Sequence, residues 1–120
     1  MPCIRGAAVR TPFGDAATTL AALADGQGTS DPLPDDLLRG LIDLAAPLVA
    51  EAAPDLVLFA TTKGDLTRWC ADLLRNHPSG DGGPAWCAGQ LAAAFGCPAI
   101  AVSAACASST VALGVAARRL

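Results

Sequence analysis

The chain has 120 residues, of which 52% are hydrophobic and 16% charged, and eight basic against eleven acidic side chains give a net charge of -3. That length suits one ordinary domain, residues 1–120, and the apolar content argues against general disorder. There is no basic surplus of the kind that phosphate backbones require, so a nucleic-acid-binding role is set aside.

Cys3 to Val9 reads as a first strand, closed by the turn Arg10-Thr11-Pro12-Phe13-Gly14. Asp15 is placed to cap a short Ala/Leu helix running to Ala24, and Gly26 to Pro32 is a connector. Pro34 and Asp35 introduce a helix over Asp36 to Ala52, with Leu37, Leu38, Leu41, Leu44, Leu48 and Val49 on one broad face and Pro47 as a kink point. Leu56 to Thr61 is continuously apolar and reads as a strand buried on both sides, as in a parallel sheet. Thr62-Lys63-Gly64-Asp65 then turns the chain into a helix over Leu66 to Asn76.

His77 to Gly83 is loop, and Pro84 sits in the first turn of a helix over Ala85 to Phe95. A strand over Ala99 to Ser103 and a closing helix over Cys106 to Leu120 complete the chain. Strands alternate with helices, so an α/β layered arrangement is expected. The closing helix is apolar nearly all round, which predicts burial on every side and a core completed by something beyond these few elements.

No charged side chain occurs from Gly82 to Ala117, yet Gly83-Pro84, Gly96-Cys97-Pro98 and the hydroxyl cluster from Ser103 to Thr110 break the run. It reads as helix, strand and helix of a protein core rather than as a membrane span. The five cysteines, Cys3, Cys70, Cys87, Cys97 and Cys106, have no zinc-site spacing, and His77 is the one histidine. No cofactor or metal is implied. With no apolar signal core at the start, free thiols in a reducing cytoplasm are expected.

The sharpest local feature is a strand, a tight small-residue turn, Cys106 and a helix. A thiol in the first turn of a helix meets unpaired N–H groups and the positive end of the helix dipole, which in general favour the nucleophilic anion. The competing reading is a small buried hydrophobe in an alanine-rich core. Ser108, Ser109 and Thr110 read as partners for the backbone of the first helical turns. Lys63 reads as a solvated turn lysine, His77 as a solvated loop residue, Arg118 and Arg119 as cations at a helix C-terminus, and Trp69 and Trp86 as core aromatics.

Ser103-Ala104-Ala105-Cys106-Ala107-Ser108-Ser109-Thr110-Val111-Ala112-Leu113 resembles the active-site segment of β-ketoacyl synthases of the thiolase superfamily. Ile4 to Gly14 is similar to that family's opening strand and turn, and Ala60 to Gly64 to the strand end before the helix leading toward the nucleophile. Ser103 and Ala104 depart from the family's usual acidic residue and threonine. The resemblance implies the N-terminal half of a layered thiolase-like fold, a mostly buried sheet flanked by helices, ending just after the helix that carries the cysteine.

It implies an acyltransferase of the 3-oxoacyl-carrier-protein synthase type, in fatty acid or polyketide biosynthesis. Cys106 would take an acyl group, and a malonyl-carrier thioester would lose carbon dioxide and attack it in a decarboxylative Claisen condensation. The implied partners are an acyl carrier protein and a C-terminal half or separate subunit bearing the histidines, in a dimer or hetero-oligomer, with this chain inactive alone. The alternatives are a non-catalytic synthase-like partner of the chain-length-factor type, and a thiolase or coenzyme A-dependent initiating synthase.

Overall fold

The computed structural model describes residues 15–28 and 36–119, in two compact units, 15–52 and 53–119. The expected strand over Cys3 to Val9, its turn, and the Thr29 to Asp35 part of the connector and helix entry lie outside the described residues.

In the first unit, helix α1 (Ala16–Ala24) begins where expected because Asp15 accepts the Thr18 N–H at 2.8 Å. That bond holds the Asp15 carboxyl below its ordinary pKa. The helix ends as Asp25 and Gly26 reverse the chain, with Gly26 at φ +68° and Gln27 donating to the Ala22 carbonyl at 2.9 Å. Helix α2 (Leu37–Ala52) is capped by Asp36, whose carboxylate accepts the Arg39 N–H at 2.8 Å. The Arg39–Asp43 pair one turn on is exposed and adds little. Pro47 lies inside α2, where its missing N–H removes one bond of the helical ladder. Of the apolar face, Leu38 is buried and Leu41 is exposed.

In the second unit, strands β1 (Val57–Ala60) and β2 (Ala99–Val102) pair in parallel, Val57 opposite Ala99 and Ala60 opposite Val102. Bonds from Val57 N to the Pro98 carbonyl and from Thr61 N to the Val102 carbonyl extend the ladder at both ends. The connection between them carries α3 (Leu66–Leu73) and α4 (Pro84–Phe95), and α5 (Ser108–Arg119) follows β2. Both α4 and α5 pack on both strands. Leu91, Cys87 and Ala88 of α4 and Ala112 of α5 are the buried apolar residues of this unit. Pro84 opens α4 at its first position, and Gly96, at φ +68°, closes it.

Helix α3 stops at Leu73, short of the expected Asn76, because Asp72 pulls the following loop back onto it. The carboxylate of Asp72, fully buried, accepts the Ser79 N–H at 3.0 Å, the Ser79 hydroxyl at 2.9 Å and the Gly80 N–H at 2.8 Å. Arg75 stands 3.3 Å from Asp72 and 3.6 Å from Asp81, spanning both carboxylates. A helix continuing to Asn76 would carry the chain past the point where residues 79 and 80 reach that carboxylate.

The loop then meets the start of α3. Gly64 and Gly82 both have positive φ, +76° and +87°, and Asp65 N donates to the Gly82 carbonyl at 2.8 Å. Gly82 is buried with its α-carbon against the backbone of Asp65, Arg68 and Trp69, which leaves no room for a side chain. The Cys87 thiol donates to the same Gly82 carbonyl at 3.4 Å, and its burial pushes the thiol pKa up.

These elements correct the architecture implied by the synthase resemblance. Among the described residues helices predominate and the sheet has two open strands, where a thiolase-like half-domain needs a broad buried sheet between helical layers. Among the described residues two runs, four residues each, are extended and paired in the sheet, and most of the rest is helical. Burial differs accordingly. All four residues of β1 are only half-buried, Ile100 of β2 is exposed, and α5 buries just Ser108 and Ala112 while Val111 and Leu113 face outward. Two short strands and one packed helix supply too little surface to enclose a helix on every side.

Candidate functional site

Both strands of a parallel pair point their carboxyl ends the same way, and the crevice outside those ends is where open α/β sheets place their ligands. Here that edge is built from residues 61–65, after β1, and residues 103–108, after β2.

Three hydroxyls tie the two segments together, and a fourth folds the first segment. Thr61 accepts the Gly64 N–H on its side-chain oxygen at 2.8 Å, folding the first segment on itself. The Ser103 hydroxyl donates to the Thr62 carbonyl at 3.1 Å, and the Thr62 hydroxyl donates to the Ala105 carbonyl at 3.5 Å. Ser108, buried, is the centre of the second segment: its oxygen accepts the Ala104 N–H at 2.9 Å, and it lies 2.7 Å from the Ala105 carbonyl and 3.2 Å from that of Thr61. One hydroxyl proton serves one carbonyl at a time, and the shorter distance favours Ala105.

This lattice holds Ala105 at φ +47°, in the left-handed region that a side chain disfavours. The next residue is Cys106, and its side chain is exposed. Neighbouring Ala104, Ala105 and Ala107 are exposed as well, so a reagent approaching the sulfur meets nothing larger than methyl groups from them. Cys106 is therefore not the small buried hydrophobe that its alanine-rich surroundings suggest.

Its position relative to the helix needs correction. The Val111 N–H donates to the Ala107 carbonyl at 2.9 Å and α5 starts at Ser108, so Cys106 precedes the helix instead of lying in its first turn. The turn bonds Ala107 N to the Ala104 carbonyl, 3.0 Å, and Ser108 N to the Ala105 carbonyl, 3.3 Å, show why the helix starts late. Residues 104 to 108 form a tight reversal that must finish before helical geometry begins.

Ser108 does satisfy backbone at the helix start, as its place in the sequence suggests, but it also reaches across to the β1 segment. The Thr62 hydroxyl and the Thr61 carbonyl escape a local reading because their partners lie more than forty residues on. The signal available in the sequence was the presence of hydroxyl residues at the ends of both strands. Lys63, His77, Arg118 and Arg119 are exposed. Trp86 takes the Arg68 guanidinium over its ring at 4.9 Å, so it is a partner of a cation as well as a half-buried aromatic.

Replacing Ser108 with Ala leaves the Ala104 N–H without its acceptor inside the turn and removes the link to β1. The expected loss is about 1–3 kcal/mol in a urea titration of the full chain. An unchanged midpoint would mean that the turn is held by other means.

Among the described residues no group of three or more His, Cys, Asp or Glu could hold a metal ion. No described helix is long and apolar enough to cross a membrane. Compared with known protein families, curated proteins and solved structures, the chain matches none.

The synthase assignment is thereby corrected. Its chemistry, acyl transfer to Cys106 followed by decarboxylative Claisen condensation, presumes the thiolase fold, and the described residues do not form it. The non-catalytic synthase-like and thiolase alternatives rest on the same fold and go with it. So do the thiolase-like and fatty acid or polyketide labels. An eleven-residue likeness around a cysteine specifies a local strand–turn–helix arrangement, which many layered folds can host.

Proposed function

We propose that the edge formed by residues 61–65 and 103–108 is the working face of the chain and that Cys106 is its nucleophile. Its thiol displaces a leaving group from an electrophilic carbon delivered to the carboxyl ends of β1 and β2: the S–C bond forms as the bond to the leaving group breaks, the leaving group takes the electron pair, and the thiol proton passes to solvent. The observation that carries this reading is the presentation of the sulfur: exposed, and next to an alanine at positive φ whose carbonyl is met by the Thr62 and Ser108 hydroxyls, one from each strand end. Backbone strain of this kind concentrates at sites where a side chain must be aimed.

A histidine-bearing second polypeptide is proposed as partner. Among the described residues no hydrogen bond joins the Cys106 thiol to a base, and the exposed Ile100, Val111 and Leu113 of β2 and α5 support an association through apolar contact. A cytoplasmic location goes with this reading, supported by Cys70, Cys87, Cys97 and Cys106 all being free thiols.

Limiting iodoacetamide tests the assignment. Sulfur displaces iodide from the reagent's carbon, and the thiol proton passes to solvent. The full chain is expected to show one fast alkylation phase that Cys106→Ser abolishes while the slower phases stay. A fast phase that survives in the Cys106→Ser variant would assign the reactive thiol elsewhere.

A further inference from the structure

We draw no further inference here: the strongest candidate, the exposed apolar side chains Ile100 of β2 and Val111 and Leu113 of α5, carries nothing beyond the association already proposed because nothing in the structure shows what covers them.

Discussion

Gly82→Ala is expected to be strongly destabilising. A β-carbon at this position would lie 2.7 Å from the Asp65 carbonyl oxygen and 3.0 Å from the Arg68 carbonyl carbon, and closer still to the Trp69 nitrogen. All three are backbone atoms of the α3 N-terminus and cannot rotate away. The φ of +87° adds a conformational cost that any residue with a β-carbon incurs. Relief requires the loop to withdraw, which breaks the Asp65 N–H bond to the Gly82 carbonyl and the contact from the Cys87 thiol. The expected loss is about 3 kcal/mol or more, with Cys87 becoming alkylatable in the absence of denaturant. Gly80→Ala is the control, since a β-carbon there meets nothing within 4 Å although its φ of +86° carries the same conformational cost. Equal urea midpoints for the two variants would show that conformation alone, and not the close approach, governs this loop.

The second large effect is expected at Asp72. Asn has nearly the same shape but only one acceptor oxygen: if in Asp72→Asn that oxygen keeps the Ser79 and Gly80 N–H groups, the amide NH2 stands in the place that takes the Ser79 hydroxyl and faces the Arg75 guanidinium. Donor meets donor in a buried site, and the Arg75 guanidinium loses its anion. Thermal unfolding is expected to fall by roughly 10 °C or more. Burial by itself raises the Asp72 pKa, but the Ser79 and Gly80 N–H groups, the Ser79 hydroxyl and Arg75 outweigh it and hold the carboxyl below its usual value. A carboxyl depressed in the folded state contributes stability above its unfolded pKa. That contribution is lost as pH falls from the unfolded value through the folded one. The wild-type chain is therefore expected to lose stability in that acid window more steeply than Asp72→Asn. Parallel pH profiles would remove Asp72 from the account.

What the sequence discloses and what it hides divide along contact range. Asp15, the Gly83-Pro84 pair and Gly96 mark helix ends through bonds spanning three or four residues, so α1 and α4 are legible to within a residue. The runs Val57–Ala60 and Ala99–Val102 are legible as strands from their apolar, β-branched character. The end of α3 is not legible, because it depends on Asp72 meeting residues 79 and 80 in space. Nor is the start of α5. Ala104 to Ala107 are compatible with a helix by propensity, and the turn that delays it is set by its own backbone bonds together with the Ser108 hydroxyl, which reaches the Thr61 carbonyl.

The same division applies to the site. Cys106 is conspicuous in the sequence because it stands among small residues after a strand. The hydroxyls that position it come from two segments far apart in the chain and become neighbours only when β1 and β2 pair. The broad layered body is implied by the alternation of strands and helices and by a resemblance whose sharpest motif specifies one turn. Sheet breadth is set by how many segments pair, and the described residues pair two.

A peptide-resolved alkylation time course on the native full chain shows whether this strand-end edge presents Cys106 for reaction. Cys70, exposed on α3, Cys97, half-buried, and Cys87, buried, serve as internal references within one molecule. The predicted order is Cys106 first, Cys70 next, Cys97 slower, and Cys87 only on unfolding. Cys106 reacting no faster than Cys70 would make it an ordinary surface thiol and contradict the account.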